Sequence, residues 1–164
     1  MFEKLRSLIF KLDPETAHNL AIKALKFNKI PNFSIDKNNQ RYLETKLFGK
    51  KISNPIGVAA GFDKNAEVYN SLFNLNFGFV EVGTVTPLKQ YGNPKPRVFR
   101  LEEDEALINR LGFNNSGADI ISKYISDNKP NGLLGVNIGP NKDTKDRLND
   151  YSLCFNKFHN ICDY

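Results

Sequence analysis

Three times along this chain a compact apolar run of strand length empties into a loop rich in glycine or asparagine. The runs are residues 56–60 (IGVAA), 79–82 (FVEV) and 133–138 (LLGVNI). Such runs read as strands of a parallel sheet covered on both faces. Helices fit between them. Residues 66–75 turn Val68, Leu72, Phe73 and Leu75 inward, a second helix over about 117–125 follows the capping-type pair Asn115-Ser116, and a third starts near Asp150. The alternation predicts an α/β domain with a parallel sheet, either doubly wound or closed into a barrel.

Ahead of these units the pattern is purely helical. Phe2, Leu5, Leu8, Ile9 and Leu12 recur at helical spacing. Asp13-Pro14-Glu15 then supplies an N-cap, a first-turn proline and an early acid for a second helix with an apolar face of Ala17, Leu20, Ala21, Ala24 and Leu25. Residues 1–40 are therefore expected to be a separate helical hairpin ending in a polar linker, and residues 41–164 the α/β unit. Within the latter, residues 43–52 alternate around Gly49-Lys50 as a short β-hairpin.

With 40% hydrophobic and 25% charged residues the chain falls among soluble globular proteins rather than disordered ones. Of its net charge of +5, +3 lies in the first thirty residues. A basic amphipathic start suits an anionic membrane surface, a nucleic acid or merely a solvated helix face, and charge alone does not choose. No apolar run approaches the roughly 20 residues of a membrane span, and the start resembles neither a secretory signal nor a transit peptide, so the expected address is the cytoplasm. Cys154 and Cys162 share one helical stretch without a histidine pair, which predicts reduced structural thiols and no metal.

Candidate chemistry gathers where the strands end. The first runs into Ala59-Ala60-Gly61-Phe62-Asp63-Lys64, small residues that admit a flat ligand beside one cation. The second ends in Gly83-Thr84-Val85-Thr86-Pro87 and the third in Gly135-Val136-Asn137-Ile138-Gly139, both at the rim where α/β folds bind ligands. Between them, residues 92–100 form a proline-set loop with three cations. Residues 107–115 bring the carboxamides of Asn109, Asn114 and Asn115 together. Carboxamides offer both a donor and an acceptor, which suits a heterocycle with alternating N–H and C=O edges, such as a pyrimidine or a flavin. Because 21 residues are asparagine, only clusters of them carry weight.

In order, LDPETAH (12–18), NPIGVAAGFDKN (54–65), GFVEVGTVTP (78–87), GNPKPRVFRL (92–101) and INRLGFNN (108–115) closely resemble the flavin-dependent dihydroorotate dehydrogenases of the membrane-associated, quinone-reducing class. The resemblance implies the first three or so βα units of a (β/α)8 barrel behind the N-terminal hairpin. It implies FMN contacts at Ala60, Gly61, Phe62, Asp63, Lys64, Thr84 and Asn137, and dihydroorotate contacts at Lys64, Asn109, Arg110, Leu111, Gly112 and Phe113. Arg100 is implied at the inner end of a quinone tunnel formed with the hairpin. Partners would be dihydroorotate or orotate, a membrane quinone and the membrane surface rather than nucleic acid, with a peripheral location on the cytoplasmic side of the inner membrane. His18 and Arg97 match the family too, yet both read as structural.

Pro140 departs from the family, which more often has lysine before the Asn-Lys pair, and so offers neither N–H nor charge there. The same resemblance places the catalytic base, a serine, in a loop after the fourth strand, and no such motif occurs up to Tyr164. Two readings follow: the N-terminal half of a dihydroorotate dehydrogenase making orotate for pyrimidine synthesis, or a non-catalytic remnant. In either, the 164 residues alone are expected to be inactive.

Overall fold

The computed structural model describes residue 6, residues 9–27 and residues 42–164. Most of the first expected helix (2–12) and the linker lie outside these. The second helix is present as α1 (Pro14–Lys26), capped by the Asp13 carboxylate, which accepts from Thr16 N at 2.9 Å. Its buried face differs from expectation: Ile22 and Leu25 are buried while Leu20 is 50% exposed. Ile22 and Leu25 join the same buried cluster as Val80, Val82 and Ile121, so the helix contributes to the α/β core. That shared core selects Ile22, which the spacing of alanines hid.

A hairpin of β1 (Thr45–Leu47) and β2 (Lys50–Ile52) follows. Its turn falls one residue earlier than expected, at Phe48-Gly49, where φ values of 49° and 76° give the left-handed pair of a two-residue turn. The parallel sheet has the order β3-β4-β7, with β3 at Gly57–Val58, β4 at Phe79–Val85 and β7 at Leu133–Ile138. All three expected strands are present and parallel. The first is only two residues long, and Ile56 stands 65% exposed beside it. Val80, Val82 and Val85 turn to the helical side, whereas Glu81 and Thr84 look to the opposite face.

On the helical side lie α2 (Tyr69–Asn74), α3 (Ala118–Asp127) and α4 (Arg147–Phe158), with α2 against β4 and α4 against both β7 and α3. Helix α2 starts three residues later than its apolar spacing suggests. Ala66 takes a left-handed φ of 57°, and the Asp63 carboxylate receives the N–H groups of Glu67 and Val68 at 2.7 and 2.8 Å. Those amides turn back to Asp63 instead of opening a helix. Helix α3 has Gly117 as its N-cap, which has no side chain to cap with; Asn115 Oδ1 instead accepts from Gly117 N at 2.9 Å, one step ahead of the first turn. Helix α4 starts at Arg147, capped by Asp146, which accepts from Asn149 N at 3.0 Å.

One element was not anticipated. The stretch expected to be two loops contains an antiparallel hairpin of β5 (Val98–Leu101) and β6 (Ala106–Asn109), registered Val98 with Asn109 and Leu101 with Ala106. Every β6 residue is exposed, so no buried face wrote an apolar alternation into the sequence.

Asp63 is 1% exposed, and burial pushes its carboxyl pKa up even as two amides hold it. Replacing it by alanine leaves those buried donors unpaired. We expect Asp63→Ala to cost about 1–3 kcal/mol, read as a lower urea midpoint; an unchanged midpoint would show that the turn holds without the carboxylate.

Candidate functional site

The loops after β3 and β4 are stitched together by their backbones. Gly61 N donates to Gly83 O at 2.8 Å and Gly83 N to Asp63 O at 3.0 Å. Gly83 has a φ of +106°, and a Cβ there would lie 2.5 Å from the Asn137 carbonyl, so only glycine lets β4 and β7 approach at this point. Just beyond, Thr84 Oγ1 donates to Asn137 Oδ1 at 2.6 Å, and Asn137 Nδ2 donates to Glu81 Oε1 at 3.3 Å. The ends of all three parallel strands thus form one rim.

A cavity of about 380 Å³ opens on it. Ala60, Gly61 and Lys64 form one side, Gly83 and Thr84 another, and Asn109 with residues 111–114 the third. A larger cavity of about 720 Å³ lies next to it, between Pro14, Glu15 and His18 of α1 and Val98, Arg100 and Ala106 of the hairpin. Gly61, Lys64, Asn109 and Leu111 line both.

Lys64 is half-buried in that common wall, its Nζ donating to Gly61 O at 2.6 Å. Burial pushes its pKa down and the Glu15 carboxylate draws it back up. A partly desolvated ammonium gains most from an anionic ligand. His18, edge-on to Phe62 at 5.3 Å, has its pKa lowered from 6.5 by burial and by Lys64, so its imidazole is neutral at pH 7. It lines the larger cavity despite reading as structural in the sequence.

The remaining expected contacts divide. The Phe62 ring packs on His18 and the Asp63 carboxylate turns into the α2 turn, and neither residue lines either of these two cavities. Asn109, Leu111, Gly112 and Phe113 line the smaller cavity. Arg110 does not; its Nη2 donates to Pro96 O at 3.1 Å and its guanidinium lies 5.9 Å over the Phe99 ring. Asn137 lines neither cavity and reaches the rim through Thr84. Arg100 lines the larger cavity, donating to the Phe10 and Leu12 carbonyls at 3.1 and 2.7 Å, with its guanidinium 4.7 Å over the Phe10 ring.

The three clustered carboxamides serve different ends. Asn115 is buried and consumed internally, its Oδ1 accepting from Gly117 N and Thr86 N and its Nδ2 donating to Thr86 Oγ1 and Phe113 O. Asn114, absent from the expected contacts, lines the smaller cavity. Its Oδ1 is the one buried side-chain polar atom without a hydrogen-bond partner among the described residues. The doublet Asn114-Asn115 carried the signal, but not which member faces the cavity.

Arg97 is structural, as expected, and 7% exposed. Its Nη2 and Nε grip the Glu15 carboxylate at 2.5 and 3.1 Å, and its Nη1 donates to the carbonyls of Tyr91 and Asn93 at 2.7 and 3.0 Å. Cys154 and Cys162 are both free, and burial pushes the Cys154 thiol up to about 11, which keeps it protonated and unreactive.

A parallel βα layer with glycines, a cation and carboxamides gathered at its strand ends defines a ligand-binding α/β protein. Residues 42–164 match the family described as dihydroorotate dehydrogenase. A dihydroorotate dehydrogenase (quinone) of Bartonella henselae is 52% identical over 159 residues, which cover 97% of this chain and 43% of the relative. One from Rhizobium etli is 48% identical over 164 residues, with 99% and 45% covered. The crystal structure of ligand-free DHODH from Eimeria tenella superposes with a TM-score of 0.85 at 38% identity, covering 93% of this chain and 44% of that one. The same enzyme in complex with ferulenol gives 0.84. This chain belongs to the dihydroorotate dehydrogenase family, and it spans less than half the length of these relatives.

The hydrogen bonds from Arg97 hold the Glu15 carboxyl below its ordinary 4.5. A depressed acid pKa adds stability that is fully present above 4.5 and is lost as pH falls through the lower folded value. The melting temperature is therefore expected to fall on acidification below pH 4.5 more steeply in the wild type than in Glu15→Gln, and parallel curves would rule the linkage out.

Proposed function

We propose that this chain forms the flavin- and dihydroorotate-contacting part of a quinone-dependent dihydroorotate dehydrogenase, an enzyme oxidising dihydroorotate to orotate for pyrimidine synthesis. The observation that carries this reading is the common wall of the two cavities, where one half-buried cation, Lys64, borders both. A reaction that takes electrons from a polar donor and delivers them to an apolar acceptor calls for two such compartments. The 3-stranded parallel sheet with its helices on one side supports a (β/α)8 barrel of which this chain holds about the first three units.

The residues at the smaller cavity fit FMN together with a pyrimidine. Gly61 has open space where a Cβ would stand, and the partnerless Asn114 Oδ1 offers an acceptor to a ring N–H. FMN, when bound, supplies the two-electron acceptor for dihydroorotate and the donor for quinone. Ala60, Gly61 and Thr84 would hold it, with Asn137 orienting the Thr84 hydroxyl. Lys64 would offset the carboxylate of dihydroorotate, and Asn109 would pair with its ring amides. The proton acceptor would come from the part of the relatives that this chain does not cover.

The larger cavity would take the quinone, with Arg100 at its hairpin wall and His18 contributing a neutral imidazole. The amphipathic α1 and the apolar part of the hairpin wall, Val98, Leu101, Ala106 and Leu107 interleaved with Arg100, Glu102 and Glu105, support a peripheral seat on the cytoplasmic side of the inner membrane. No helix among the described residues is long and apolar enough to cross a membrane.

The 164-residue chain alone is expected to purify without flavin. Fused ahead of the remaining part of the Bartonella henselae relative, it is expected to retain FMN and reduce quinone with dihydroorotate, and Lys64→Met in that fusion to lower turnover at least about a hundredfold, by analogy with loss of one preorganised charge contact. A folded fusion with neither flavin nor turnover would favour a non-catalytic remnant.

A further inference from the structure

The 91–97 loop lines little of either cavity, yet it touches the supports of both. Both Glu15 carboxylate oxygens are held by the Arg97 fork, and Glu15 belongs to the helix that walls the larger cavity. The third arm of the same guanidinium holds the loop's own carbonyls, those of Tyr91 and Asn93. Asn93 then carries the far side. Its N–H donates to Leu111 O at 3.0 Å and its Nδ2 to Arg110 O at 2.7 Å, while Arg110 N donates back to Arg97 O at 2.8 Å.

Gly112 closes the junction. At a φ of +73° it lies so near Asn93 that a Cβ would come 2.9 Å from the Asn93 nitrogen, and Gln90 Nε2 holds its carbonyl at 2.9 Å. Leu111 and Gly112 line the smaller cavity. Every link from Glu15 to Leu111 is a hydrogen bond of 3.1 Å or less, and the central group is almost fully buried.

Resting on the cavity assignments above, we propose that the Arg97–Glu15 pair is a positioning device that ties the seating of α1 at the quinone cavity to the shape of the 110–114 loop at the dihydroorotate cavity. Arg97 lines neither cavity and acts only through its neighbours. Its planar fork is essential, because one group must meet a carboxylate on one edge and two carbonyls on another; a lysine ammonium keeps the charge but not that geometry. Such a coupling is reciprocal, so a ligand that settles α1 also settles the loop.

Amide hydrogen exchange on the whole chain tests this without requiring turnover. In Glu15→Gln, exchange is expected to rise about fivefold, the lower end of typical coupling, both in α1 and at the bridging amides of Asn93 and Arg110. In Arg97→Lys the rise is expected mainly at Asn93 and Arg110, since the charge opposite Glu15 survives. Unchanged exchange in β4 (Phe79–Val85) reports an intact fold in each variant. Loosening confined to α1 in Glu15→Gln, or no loosening of the bridge in Arg97→Lys, overturns the proposal. Decylubiquinone added to the wild type is expected to protect α1 and the bridge together, and in Arg97→Lys α1 alone. Protection of neither segment counts against the quinone assignment of the cavity, while the two variants still decide the coupling.

Discussion

The guanidinium of Arg97 sits where α1, the proline-set loop and the β5–β6 hairpin meet, and it has almost no access to water. A charge in that position is costly unless paired and hydrogen-bonded. Here it is both, with two bonds to the Glu15 carboxylate and two to backbone carbonyls, while Lys95 stands 3.4 Å from the same carboxylate. Removing either partner would strand the other. The arrangement fixes which way α1 lies against the hairpin, and these two elements form facing walls of the larger cavity.

The smaller cavity depends on the sheet instead. Strand β4 is paired on both sides, and its departure from regular pairing at Gly83 lets the loops after β3 and β4 exchange backbone hydrogen bonds. Lys64 is carried by the first of these loops and is held by the Gly61 carbonyl within it. Its environment has four contributions: burial lowers its pKa, Glu15 on α1 raises it, Arg97 lowers it again, and the neighbouring Asp63 carboxylate raises it. The same pair that seats the helix therefore also sets the field at the cation between the cavities.

Much of this was legible in the sequence. The three parallel strands, the Asp13 cap and the convergence of the 60–64, 83–84 and 109–113 segments follow from local patterns, because strand ends and helix caps are written in adjacent residues. The β5–β6 hairpin was not legible, since β6 is exposed throughout and the half-buried positions of the four-residue β5 are Val98 and Arg100, which write no apolar alternation. Nor was the difference between Asn114 and Asn115, which have the same chemistry and opposite surroundings. The family resemblance implies a flavin contact at Asp63, whereas its carboxylate is occupied by two amides four and five residues on, a pairing that no local pattern writes.

The sequence by itself determined the kinds of element, their order and the chemical groups at the strand ends, because these depend on spacing over a few residues. It also placed the chain in its family, through five motifs in order. Tertiary structure alone decided which side chains face a cavity, that His18 belongs to one, and that Glu15 and Arg97, 82 positions apart, form one unit. Those outcomes turn on burial and on competition for hydrogen-bond partners brought together from distant segments, and no local pattern records them.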